Sequence, residues 1–125
     1  MADRMDLAVQ DFAKTLGINE LSFPASGVIH CTFEQAGDFF LEKLGDGILL
    51  YLVREVADFQ LGAVARKALS LCHFNNSQIF DIQCALKDSN QLLFLVFVTE
   101  DRLDGRFVDK ALNALVRLHD VAAER

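Results

Sequence analysis

The side chains best equipped for chemistry in this chain of 125 residues are three histidines and three cysteines. His30, His73 and His119 lie far apart, and none has a second ligand at the spacing that sets two donors on one helix face. Neither HExxH nor CxxC occurs. Cys72 and His73 are neighbours, but adjacent side chains normally point apart, which is poor geometry for a thiol and its general base. Cys31, Cys72 and Cys84 are odd in number and widely spaced, the pattern of reduced thiols packed in a core. No GxSxG, Walker loop or GxGxxG is present. Gly45-Asp46-Gly47 is better explained as a hairpin turn than as a phosphate cradle. Glu100, Asp101 and Asp104 gather before the last helix, where negative charge favours the helix dipole. Other carboxylates are plentiful, but a general acid needs a pocket and no pattern marks one. These residues predict neither a catalytic site nor a bound metal or cofactor.

Charge and composition narrow the partners. The net charge is −6 and no cluster of Lys and Arg stands out, so a nucleic-acid footprint is not expected. Hydrophobic residues make up 52% of the chain, slightly more than a small monomer needs to fill a core. The longest apolar run, Leu92 to Val98, is far short of the roughly 18 residues a membrane helix requires. The N-terminal stretch MADRMDLAVQ carries acids and lacks the apolar region of a signal peptide. A cytoplasmic location without membrane insertion is the expectation.

The elements that must position these side chains follow from periodicity. Met5, Val9, Phe12 and Leu16 recur on one face of a helix over 3–16, with Asp3 as a candidate cap and Gly17 as its stop. A connector holds Pro24, the single proline. Residues 27–34, 38–44 and 48–53 read as strands, the last two joined at Gly45-Asp46-Gly47, where Asp-Gly would supply positive φ angles. Leu61, Val64, Ala68 and Leu71 form the stripe of a second helix over 60–74, ended by Asn75-Asn76-Ser77. Strands over 79–87 and 91–99 follow, then a helix over 103–124 that Asp101 can cap. The order α-β-β-β-α-β-β-α predicts one α+β domain over 1–125, with a five-stranded, mostly antiparallel twisted sheet and three helices.

Two of these strands pose a problem. An antiparallel sheet often has one apolar face and one wet face. The strand over 79–87 fits, because Phe80, Ile82, Cys84 and Leu86 alternate with Asp81, Gln83 and Lys87. The strands over 48–53 and 91–99 are apolar on both faces. Either the domain places a helix on each face, or another chain covers what three helices do not.

The chain resembles the class I chaperones of type III secretion, the CesT/SycE-like family. The resemblance begins at FAKTLGINELSF (12–23) and continues at GDFFLEKLGDGILLYLVREV (37–56) and ARKALSL (65–71). It ends at SNQLLFLVFVTEDRLDGRFVDKALNALVRLHDV (89–121). Within the family it is most similar to the SycN-type branch. The resemblance implies the same element order, no enzymatic activity and no cofactor. It also implies a dimer, with an identical subunit or with a second small, YscB-like chaperone, that holds the N-terminal segment of a secreted client. For the SycN-type branch that client would be the gatekeeper protein that plugs the secretion channel. It implies a dimer interface on the second helix and following strand, at Leu61, Val64, Ala68, Leu71, Phe80 and Ile82. Candidate client contacts are Leu7, Phe12, Leu16, Ile29, Phe33, Phe39 and Leu41. Core packing competes with these roles at every one of the positions. A different reading is a small-molecule-binding or enzymatic α+β dimer domain whose apolar sheet face lines a pocket. His30, Tyr51 and Glu42 are the polar strand residues available to it.

Overall fold

A computed structural model of the chain describes residues 4–19, 21–74 and 81–123. The elements are α1 (Arg4–Leu16), β1 (Val28–Phe33), β2 (Gly37–Leu44), β3 (Gly47–Glu55), α2 (Leu61–Phe74), β4 (Gln83–Lys87), β5 (Gln91–Thr99) and α3 (Gly105–Ala123). Short 3-10 turns precede α2 and α3, at Asp58–Gln60 and Glu100–Arg102. The predicted cap Asp3, the turn Asn75-Asn76-Ser77 and the start of the predicted fourth strand lie outside the described residues.

The sheet order is β1-β2-β3-β5-β4, and every pairing is antiparallel. This is the α+β architecture the sequence predicts. β5 enters between β3 and β4, so the apolar stretch Leu92 to Val98 is an interior strand paired on both sides.

Local signals account for the element ends. α1 stops at Gly17, whose φ of 77° suits a residue without Cβ. Gly17 N donates to Lys14 O and Ile18 N to Ala13 O, the paired bonds of a Schellman motif. In the β2–β3 hairpin the positive φ falls on Gly45 and not on Asp46, the pattern of a type II′ turn rather than the Asp-Gly arrangement expected. The helix cap also differs from expectation. Asp104, not Asp101, accepts the Phe107 amide at 2.7 Å and starts α3. The intervening 3-10 turn moves the helix start onward, and Asp101 instead accepts the Thr99 hydroxyl.

Strand parity decides where the core lies. Ile29, Phe39, Leu41, Ile48, Leu50, Leu52, Leu92, Phe94, Val96 and Val98 share one face of the sheet and are buried. All three helices pack on this face. Phe12 of α1 meets Phe39 edge-on, with ring centroids 5.8 Å apart. His119 of α3 meets Phe94 at 4.8 Å. Val64 and Ala68 of α2 belong to the same core. Each fully buried Leu or Phe here contributes about 1.5–3 kcal/mol relative to exposure. The helices also pack on one another: a Cβ on Gly105 would collide with Asp11 of α1, so glycine allows that close approach. Of the two coverings the sequence left open, a helix on each face is not the one found among the described residues, because every described helix turns its apolar stripe to the same side.

Candidate interaction surfaces

The opposite face of the sheet carries Phe40, Leu49, Tyr51, Leu93, Leu95 and Phe97. The register makes neighbours of His30 and Phe40, Phe40 and Tyr51, and Tyr51 and Leu95. Their rings stack across the strands, His30 on Phe40 at 4.3 Å and Phe40 on Tyr51 at 4.8 Å between centroids. Polar groups fix the stack at both ends. Tyr51 Oη donates to Glu42 at 3.2 Å, and burial together with that carboxylate raises the phenol pKa above its ordinary value. His30 Nε2 and the Thr32 hydroxyl each lie 3.1 Å from Asp38 Oδ1. The His30 hydrogen bond holds the Asp38 carboxyl below the usual carboxylate range. His30, Tyr51 and Glu42 thus share one face, with Tyr51 bonded to Glu42 and His30 bonded to Asp38 instead.

Apolar side chains also remain accessible on α1 and on the terminal strand β1. Leu7 is 52% exposed, and Leu16 and Phe33 are half-buried. Phe12, Ile29, Phe39 and Leu41, predicted beside them as client contacts, are enclosed in the chain's own core. Lys43 Nζ lies 4.8 Å over the Phe23 ring and 3.6 Å from Asp6, tying β2 to α1 and the connector.

A third surface lies along α2 and β4. Leu61 and Leu71 remain half-exposed, while Val64, Ala68 and Ile82 are enclosed by the chain itself. Phe80 lies outside the described residues. Sequence reasoning missed the most exposed apolar side chains here, Phe59 at 87% and Leu69 at 62%. Leu69 carried a signal, since it is a large apolar residue off the helical stripe that Leu61, Val64, Ala68 and Leu71 define. Phe59 sits beside a groove lined by Ala63, Val64, Lys67, Ala122 and Ala123.

His119, Cys31 and Cys72 are packed into the fold. His119 is 3% exposed, and its ring nitrogen Nε2 lies 2.7 Å from the Leu52 carbonyl, to which it donates. Burial depresses its pKa to about 4, so the ring is neutral near pH 7. Burial, reinforced by the neighbouring Cys84, pushes the Cys72 thiol up to about 12, and burial also raises Cys31. Thiols held this far from thiolate formation are poor nucleophiles. Among the described residues no cluster of three or more His, Cys, Asp or Glu side chains could hold a metal ion. No described helix is long and apolar enough to cross a membrane.

Several solved complexes share the fold, among them three with TM-scores of 0.68 to 0.75. They are the ExsC–ExsE complex (TM-score 0.75, 16% identity, covering 95% of this chain and 92% of that one) and the HopA1–SchA chaperone–effector complex (0.71, 15%, 99% and 100%). The third is the Yersinia pestis type III secretion chaperone SycH in complex with a stable fragment of YscM2 (0.68, 18%, 93% and 97%). No curated protein matches the chain. The profile of the type III secretory system chaperone SycN matches residues 4–123, nearly the whole length. On that match, the chain belongs to the SycN family of type III secretion chaperones.

Proposed function

We propose that this protein is a non-enzymatic, ATP-independent chaperone of the bacterial cytoplasm. It works as one domain in a dimer and holds the N-terminal segment of a secreted client in a secretion-competent, extended state. The observation that carries this reading is the family match together with apolar side chains left exposed on two separate surfaces. β1 is a terminal strand of the sheet, where an extended segment can add main-chain hydrogen bonds and seat alternate side chains beside Phe33, while Leu7 and Leu16 of α1 offer further apolar contacts. The α2–β4 surface, with Leu61, Leu71, Phe59 and Leu69, is the dimer side in this reading. Leu61 and Leu71 reach it from the interface predicted by resemblance, whereas Val64, Ala68 and Ile82 support it from beneath.

The subunit opposite is a second copy or a second small, YscB-like chaperone, and the client is the gatekeeper of the secretion channel. No nucleotide is needed: the client exchanges water-exposed apolar side chains for protein contacts, and its ordering cost is offset only by a large wrapped area. Co-expression with the secreted proteins and small chaperones encoded beside it, followed by affinity capture and light scattering, tests this reading. A stable dimer carrying a client N-terminal segment is expected. A monomer that retains none of these proteins overturns the reading.

A further inference from the structure

We propose that the solvent-facing line of α3 is a docking strip for a carboxylate-rich segment of another protein. This inference rests on α3 alone and not on the client and dimer surfaces assigned above.

The helix buries Val108, Ala111, Leu115, Leu118 and Ala122 in the core. On the opposite side Arg106, Lys110, Asn113 and Arg117 follow one another at helical spacing, and all four are exposed. Three cations therefore stand in one line over about 16 Å, and no acid interrupts it. Asp120, the next residue along, is already bonded to Arg54 of β3 at 2.8 Å.

The strip reverses the sign of the molecule. The whole chain carries a net charge of −6, from 18 acids against 12 bases. Several other cations are engaged within the fold: Arg4 on the Leu103 carbonyl, Lys43 on Asp6 and the Phe23 ring, and Arg54 on Asp120 and the Ala36 carbonyl. Arg106, Lys110 and Arg117 have no hydrogen-bond or ion-pair partner among the described residues.

The line also works against the helix that carries it. Apart from its cap, Asp104, α3 has no acid in its first turn and no base in its last, and Arg106 stands near the positive end of the dipole. Arg106 and Lys110 are four residues apart, where like charges repel. A partner that lays carboxylates along the line relieves both penalties.

The surroundings select protein over phosphate. Asp109 flanks the line, and Glu100, Asp101 and Asp104 precede it. A nucleic acid or an anionic bilayer spreads its phosphates widely and would set them against these carboxylates. A single segment with Glu or Asp along one side can follow the line without meeting them.

The full chain is titrated at low salt with a fluorescein-labelled peptide of about 18 residues, with Glu at every third or fourth position on an Ala/Gln background. A saturable rise in anisotropy is expected even though protein and peptide are both acidic, and added salt should abolish it. Arg106→Gln with Lys110→Gln and Arg117→Gln should weaken binding about tenfold, the worth of three exposed ion pairs. Lys14→Gln with Arg66→Gln and Lys67→Gln removes the same charge from other helix positions and should change binding by about twofold at most. All six side chains are exposed, so both variants should fold, which circular dichroism checks. Equal binding by wild type and the strip variant overturns the proposal, as does an equal loss in the control variant or the absence of a saturable signal. Equally tight binding of a single-stranded oligonucleotide or of phosphatidylglycerol vesicles through the same three residues would assign the strip to phosphate instead. A strip variant that changes the sedimentation of the protein alone would give the strip to a second copy.

Discussion

His119 of α3 and Leu52 of β3 are joined by a buried hydrogen bond of 2.7 Å, from the imidazole Nε2 to a backbone carbonyl. The bond ties the last helix to the central strand, and burial, which outweighs the pull of that carbonyl toward the charged ring, keeps the imidazole neutral. The folded-state pKa is about 4 against an ordinary 6.5. Between those values the unfolded chain binds more protons than the folded one. Stability from this group is therefore complete above about pH 6.5 and is lost as pH falls toward 4. Urea unfolding is expected to show a loss of about 2 kcal/mol between pH 7 and pH 5 from this residue. His119→Gln, which keeps an amide donor, should flatten that slope. An unchanged slope in the variant would remove His119 as its source.

Gly105 sits where α3 meets α1 so closely that a Cβ would collide with Asp11. Gly105→Ala should therefore cost about 1–3 kcal/mol, even though alanine favours helix more than glycine does. A lowered urea midpoint with an unchanged slope against denaturant is the expected reading.

The two kinds of predicted client contact should separate cleanly. Leu7→Asp and Leu16→Asp, at exposed and half-buried positions, should reduce capture of a co-expressed client while leaving the thermal midpoint within a few degrees. Phe12→Ala empties a fully buried site and should cost about 3–5 kcal/mol. Any loss of capture in that variant would follow from unfolding, which circular dichroism would reveal.

Dimerisation through the α2–β4 side makes a similar contrast. Phe59→Ser with Leu69→Ser should shift the protein toward smaller species in sedimentation while circular dichroism shows the subunit still folded, because both side chains face solvent within the single subunit. An unaltered sedimentation profile would move the interface elsewhere.

Much of the fold was legible because local signals agreed with one another. The stripes of α1 and α2, the stop at Gly17 and the alternation of β4 each pointed to a single structure. The inward face of β3 and β5 was not legible. Leu49, Tyr51 and Val53 are as apolar as Ile48, Leu50 and Leu52, so parity alone gave no preference. That choice was made by the helices, whose stripes show that they are amphipathic but not which side of a sheet they cover. The same limit explains the site residues. Phe12 and Leu7 lie on one helix and are both apolar, yet one is sealed against Phe39 and the other faces water. Asp101 and Asp104 were equivalent caps until the 3-10 turn at Glu100–Arg102 fixed which one precedes the helix.

The insertion of β5 between β3 and β4 has a kinetic consequence. β3 pairs with β2 through a two-residue turn, but its other edge waits for a strand that follows α2 and β4 in the chain: Gly47 opposes Thr99 and Glu55 opposes Gln91. During synthesis, Ile48 to Val53 are therefore complete and apolar on both faces while their neighbour is still being made. Closing that long loop must precede the contacts that reward it, so β5 docking is the natural slow step. Until it occurs, the nascent chain exposes the kind of unpaired apolar edge that aggregates. A protein whose proposed task is to shield another chain's apolar segment passes, for a moment of its own folding, through the same hazard.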